Sequence, residues 1–110
     1  MKIFSGSNSK ELTKRICEIL TKEQVDLGNS PNFVFKSGNL KIEKFSDGEI
    51  LPRFDESIRD QDVYFVNSTC SSDDIMETLL VVDAAKRAGC KSFTLVAPFQ
   101  DIQDRIKQTT

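Results

Sequence analysis

Apolar residues recur along this chain with two periods, and each change of period marks an element. Ile3 and Phe4 in "KIFSG" form a short apolar run closed by Gly6, which predicts a brief strand ending in a turn. Leu12, Ile16, Ile19 and Leu20 then recur at i, i+4, i+7 and i+8, one stripe of a helix. With Ser9 placed to cap it, this helix is predicted from Lys10 to about Lys22. "DLGNSPNFVFKSGN" breaks the pattern with Gly, Asn, Ser and Pro and leaves room for a short hairpin around Phe33 to Phe35. "LKIEKF" alternates through Leu40 and Ile42 and slips out of phase at Phe45, so its strand ends there.

The second half reads more simply. "DVYFVNST" is nearly continuous in β-branched and aromatic residues, as expected of a strand buried on both faces. A helix follows from about Ser72, with Asp73, Asp74 and Glu77 in its first turns and Lys86 and Arg87 in its last, matching the helix dipole. Ile75, Met76, Leu79 and Val82 are expected to face the core, and Gly89 to end the helix in the left-handed region. "KSFTLVAP" is a further strand, stopped by Pro98. Strand, helix and strand of these lengths make a βαβ unit with a parallel pair and a right-handed crossover. The predicted class is α/β, a mostly parallel sheet with helices on both faces and a short hairpin extension.

At 110 residues the chain has room for one domain, and a chain of this size buries about two-thirds of the surface its unfolded form exposes. A net charge of −2, with the basic residues scattered singly, argues against nucleic acid or an acidic membrane as the partner. No apolar stretch approaches the ~18 residues of a membrane span, and the N-terminus lacks the apolar core of a secretory signal. Cys17, Cys70 and Cys90 are odd in number and widely spaced, which fits a reduced, cytoplasmic setting and the role of small buried hydrophobes. The chain has no histidine, which excludes a histidine general base, a histidine-activated nucleophile and a histidine-ligated metal within it. No catalytic residue and no metal ligand is assigned.

"KFSDGEI" concentrates the candidate chemistry. Asp47-Gly48 is a turn dipeptide, because glycine takes a positive φ without steric cost. A bare turn needs neither Phe45 nor Glu49 at its ends. Ligands of open α/β sheets sit beyond the carboxyl ends of the strands, and those ends here are "SGSNS", "NSTCSSDD" and "APFQDIQDR", all polar. Strand-to-helix loops are polar in any case, and neither the dinucleotide fingerprint nor the P-loop is present. Pattern and spacing stop at an α/β domain with a small-ligand edge.

Taken in order, "KIFSGSNSKELTKRICEIL", "IEKFSDGEI", "DESIRDQDVYFVNSTC" and "DIMETLLVVDAAKRAGCKSFTLVAPF" resemble the N-terminal, phosphoribosyltransferase-like (type I) domain of ribose-phosphate pyrophosphokinases, the PRPP synthetases. The resemblance covers nearly the whole chain. It implies pyrophosphoryl transfer from ATP, with Mg²⁺, to the C1 hydroxyl of ribose 5-phosphate. It also implies a cytoplasmic homo-oligomer of two-domain subunits. The "FSDGE" turn of that family reaches into a neighbouring subunit's site, where its Phe stacks on adenine. By resemblance Phe45 would supply the π-face, and Asp47 and Glu49 the acceptors for the exocyclic amine and its surroundings. The alternative is a surface hairpin whose Phe45 folds back onto the core. "ESIR" implies a regulatory site for phosphate or ADP at Ser57 and Arg59, with a solvated loop pairing Arg59 to Glu56 or Asp60 as the alternative.

The text also departs from the family. "PFQDIQDRIK" places Ile102 where the family has an ATP-binding arginine, so Gln103 carries over and the main cation does not. The stretch around Asn29–Asn39 looks like an insertion, and Phe33, Phe35 and Leu51 are expected to be exposed and covered by a neighbour. The family's metal-binding histidine, basic flexible loop and ribose-phosphate loop have no counterpart within residues 1–110. The expected reading is a single N-terminal domain over 1–110, without the family's second domain, that contributes ATP and regulatory phosphate contacts and is inactive alone. Its partners are then a further copy, a C-terminal domain or a full-length synthetase. The alternative is a non-catalytic homologue that binds nucleotide or modulates a full-length enzyme.

Overall fold

In a computed structural model that describes residues 1–28 and 35–97, seven elements follow one another. They are β1 (Lys2–Ser5), α1 (Lys10–Asp26), β2 (Leu40–Lys44), β3 (Ile50–Phe54), β4 (Asp62–Val66), α2 (Ser72–Arg87) and β5 (Ser92–Val96). β1, β4 and β5 form a parallel sheet in the order β1-β4-β5, with Phe4 beside Phe65 and Val63 beside Phe93. β2 and β3 pair antiparallel as a separate ribbon. Ser37 and Gly38 run along the free edge of β1, and the Gly38 N–H donates to the Ile3 carbonyl at 2.7 Å. That contact covers an edge that would otherwise leave its polar groups unpaired.

Alternate strand residues enter opposite cores. Phe4, Val63 and Phe65 pack with Val81 and Ala85 of α2, and the ribbon adds Leu40, Ile42 and Phe54. The Phe4 and Phe54 rings meet edge to face with centroids 4.9 Å apart. Ile3 and Val66 face the other way and pack with Leu12, Ile16, Cys17 and Leu20 of α1. The α/β class with helices on both faces is as expected; the β2–β3 ribbon was not, since no strand is predicted over Ile50–Phe54. α1 runs one turn past the expected Lys22. The hairpin expected around Phe33 falls largely outside the described residues, as does Pro98.

Three expectations are corrected. Ile75, Met76 and Leu79 do not face the core: they are 41%, 51% and 60% exposed, and Val82 is half-buried. The buried side of α2 is Asp74, Glu77, Thr78, Val81 and Ala85. Its first two turns lie against the loop leaving β1, whose N–H and amide groups need acceptors that an aliphatic side chain cannot give. Phe35 is half-buried against the Ile3 cluster rather than exposed, whereas Leu51 is exposed as expected. Of the cysteines only Cys17 is buried, and burial pushes its thiol pKa up; Cys90 is half-buried and Cys70 exposed.

The close approach of β1 and β4 at their carboxyl ends requires Gly6. A methyl group there would lie 2.1 Å from Asn67 Oδ1, and Asn67 is wholly buried. The Asn67 amide cannot retreat freely, because its Nδ2 donates to Thr78 Oγ1 at 2.8 Å and to the Asp74 carbonyl at 3.1 Å. Gly6→Ala should therefore destabilise the fold by about 1–3 kcal/mol, the usual cost of overpacking. Urea unfolding checks this: the midpoint should fall at unchanged slope.

Candidate functional site

Two of the three polar strand ends converge. The Ser7 N–H donates to Glu77 Oε1 at 2.7 Å, Asn8 Nδ2 to Asp74 Oδ1 at 3.1 Å, and the Ser68 N–H to Ser9 Oγ at 3.1 Å. These bonds tie the loop after β1 to the loop after β4 and to the start of α2. Ser9 stands at the N-cap of α1, but its side chain serves Ser68 instead of the helix. Ser71 does cap α2, accepting from the Asp74 N–H at 3.1 Å. Asn67 Oδ1 is the buried side-chain oxygen left without a partner among the described residues. The third strand end is described only to Ala97, so Ile102 and Gln103 lie outside the described residues.

Glu77 also reaches the ribbon. Its side chain is 1% exposed, and its Oε2 lies 3.7 Å from Lys44 Nζ. Lys44 ends β2, so the pair holds the tip of the ribbon against the carboxyl ends of β1 and β4. Beyond Lys44 the chain turns through Phe45 to Glu49. Phe45 and Glu49 close it with an N–H to carbonyl bond of 2.8 Å, the Gly48 N–H donates to the Phe45 carbonyl at 3.0 Å, and Gly48 takes φ +88°. A β-turn followed by a left-handed glycine is a common way to close such a ribbon. Asp47 Oδ1 accepts from the Glu49 N–H at 3.0 Å, which stiffens the tip.

This turn presents its side chains outward. Phe45 is 47% exposed and belongs to neither core cluster, so it does not fold back onto the core. Asp47 and Glu49 are exposed beside it. A shallow hollow of about 180 Å³ lies under the ring, lined by Lys44, Phe45, Gly48, Ile50 and Asp73. An aromatic face with two carboxylates a few residues away can stack on a flat ring and accept from its amine.

Ser57 and Arg59 sit at the other end of β3. Ile58, 1% exposed, anchors the loop in the core and leaves Ser57 and Arg59 exposed on either side of it. Arg59 lays its stem over Gly89, and the Asp60 N–H donates to the Gly89 carbonyl at 2.9 Å. Arg59 forms no ion pair with Glu56 or Asp60. Glu56 is taken by Lys2, whose hydrogen bond, together with that of the Asn39 N–H, holds its carboxyl below the usual range. The five residues of β3, followed by Asp55 and Glu56, separate the two candidate sites. Sequence pattern placed the turn correctly. It missed Glu77 as its anchor, because an acid in the first turns of a helix reads as dipole compensation.

The site is thus a parallel α/β sheet with tied polar loops at its carboxyl end and an aromatic turn held beside them. The chain matches the family described as the N-terminal domain of ribose phosphate pyrophosphokinase over residues 1–109, and it belongs to that family. It is 41% identical to the ribose-phosphate pyrophosphokinase of Porphyromonas gingivalis over 109 residues, covering 94% of this chain and 31% of that protein. The corresponding protein of Mycoplasma genitalium is 39% identical over 99 residues, 88% of this chain and 26% of its own length. The chain thus spans about a third or less of the curated relatives it matches. In structure it is similar to the phosphoribosylpyrophosphate synthetase of Mycobacterium smegmatis, with a TM-score of 0.63 at 28% identity, over 89% of this chain and 29% of that one.

Replacing Glu77 separates its two contacts. Glu77→Gln retains an acceptor for the Ser7 N–H and removes the charge opposite Lys44; Glu77→Leu removes both. The Leu variant should lose about 2 kcal/mol, since it leaves a buried donor unsatisfied. The Gln variant should lose less and should speed amide exchange at Phe45 and Gly48. Unchanged exchange there would show that the ion pair does not hold the turn.

Proposed function

We propose that this domain supplies the base-recognition surface for ATP in a ribose-phosphate pyrophosphokinase that makes PRPP from ATP and ribose 5-phosphate. The observation that carries this reading is the outward-facing turn, with Phe45 half-exposed between anchored loops and Asp47 and Glu49 beside it. Phe45 stacks on adenine, and Asp47 and Glu49 accept from its amine and neighbouring groups. Gln103 belongs to the same proposal through the family pattern alone. The turn is directed at a second copy of the chain, which also covers Leu51.

Mg²⁺ enters this reading with the nucleotide. Among the described residues no group of three or more His, Cys, Asp or Glu side chains is placed to hold a metal ion, so no step here runs through one. The setting proposed is the cytoplasm. Its support is the three free cysteines. The second contact proposed is regulatory: Ser57 and Arg59 bind phosphate or the phosphates of ADP, a hydroxyl and a guanidinium without an ion pair among the described residues being well suited to that anion.

Pyrophosphoryl transfer rests on positioning and on stabilising negative charge, and this domain is assigned the recognition part alone. Titration with ATP should show adenine-dependent binding that Phe45→Ala weakens by about 1–3 kcal/mol, or roughly 5- to 150-fold. Assayed by itself with ATP, Mg²⁺ and ribose 5-phosphate, the chain should form no PRPP above a no-protein control. Turnover there, or ATP binding indifferent to Phe45, would overturn the assignment. Inorganic phosphate should raise the melting temperature, and Arg59→Ala should remove the part of that rise due to the Ser57 loop. An unreduced rise in the variant would place the anion elsewhere.

A further inference from the structure

α1 carries its charges against its own dipole. The favourable arrangement puts acids at the start of a helix and bases at its end, and α2 has it, with Asp73 and Asp74 first and Lys86 and Arg87 last. α1 instead begins with Lys10 and carries Lys14 one turn on, with Glu11 as the acid of its first turn and no base in its last. Lys10 and Lys14 lie on one face, four residues apart, where like charges repel. Neither makes an ion pair among the described residues. The stability of the helix does not account for this placement.

The same face looks into a cavity of about 760 Å³ between α1 and the chain that leads into β2. Lys36 and Lys41 line the opposite wall, and Cys17 and Leu40 contribute apolar surface. Four lysines thus meet two carboxylates, Glu18 and Asp55, in a chain whose net charge is −2. Asp55 is already engaged by Arg53, whose Nε lies 2.8 Å from Oδ1, and by Lys41 at 3.5 Å, which leaves Lys10, Lys14 and Lys36 without an ion pair among the described residues. The positive end of the α1 dipole adds to the excess. A second hollow of about 330 Å³ shares Ser5, Lys10, Leu40 and Lys41 and extends to Ser7, so the groove reaches the carboxyl end of β1. Neither Ser57, Arg59 nor Phe45 lines either space.

We propose that this groove binds a phosphorylated small molecule, its phosphate held by Lys10, Lys14 and Lys36 and its body resting on Cys17 and Leu40. The volume falls within the range of about 300–1,000 Å³ common to small-molecule pockets and exceeds what a free phosphate fills. The lysines act as point charges on flexible stems, which tolerate more than one phosphate geometry. This site is independent of the turn at Phe45 and of the loop at Arg59, and it stands or falls separately from both.

Titration of the isotopically labelled chain with phenyl phosphate, followed by amide chemical shifts, tests it. The expected shifts fall on Lys10, Lys14, Ser37 and Gly38, and phenyl phosphate should bind more tightly than inorganic phosphate. The double variant Lys14→Met/Lys36→Met should weaken binding about tenfold or more, the scale of losing charge-assisted hydrogen bonds. A charge-matched control, Lys22→Met/Lys86→Met, changes the net charge equally outside the groove and should leave binding nearly unchanged. All four lysines are exposed, and an unchanged spectrum elsewhere confirms that each variant folds. Shifts confined to Ser57–Asp60, equal affinity for the two probes, or equal weakening in the control would each overturn the proposal.

Discussion

Burying the Glu77 carboxylate removes it from water, and a charge so placed must be met by donors. It is met from two directions, by the Ser7 N–H at 2.7 Å and by the Lys44 ammonium at 3.7 Å. The first bond fixes the loop that leaves the sheet at β1. The second is too long for a hydrogen bond and acts as a Coulombic attraction, moderated by the half-exposure of Lys44. Because Lys44 is the last residue of β2, this attraction sets where the following turn can point. Asn67 and Asp74 hold the adjoining loop in the same manner. The loops at the sheet's carboxyl end, the start of α2 and the tip of the ribbon therefore share one set of buried polar contacts.

The ribbon carries that constraint to the exposed side chains at its two ends. Its tip carries Phe45, Asp47 and Glu49, while its far end runs directly into Glu56, Ser57 and Arg59. Phe54 docks on Phe4 and Ile58 is buried, so the carboxyl end of β3 is pinned to the core. β3 thus joins an exposed aromatic turn at one end to an exposed cation near the other. The Lys2–Glu56 pair and the Asn39 N–H restrain the loop end, as Glu77 restrains the tip.

Much of this layout was legible in the residues. The period of Leu12, Ile16 and Leu20 gave α1, the continuous apolar run gave β4, and the acids of its first turns and Gly89 at its end bounded α2. Asp47-Gly48 announced the turn, because positive φ is a local demand that glycine meets anywhere in a chain. The order of the motifs carried the family. β3 was not legible: Pro52 and Arg53 interrupt its alternation, and Pro52 is tolerated because a two-stranded ribbon has open edges on both strands. Phe35 was misjudged because it belongs to a loop whose burial depends on the Ile3 cluster.

What the sequence determined by itself is whatever follows from neighbours in the chain: helix and strand periods, caps, and the glycine turn. What only the tertiary structure decided is which side of each element meets which partner. α2 shows the difference. Its aliphatic residues Ile75, Met76 and Leu79 predict one buried face, yet Asp74, Glu77 and Thr78 are buried instead. A local pattern records hydrophobicity, whereas burial at the start of α2 is fixed by donors from Ser7, Asn8 and Asn67, brought there by strands distant in sequence. Unsatisfied donors in the interior cost more than exposed aliphatic surface, so the polar face turns inward.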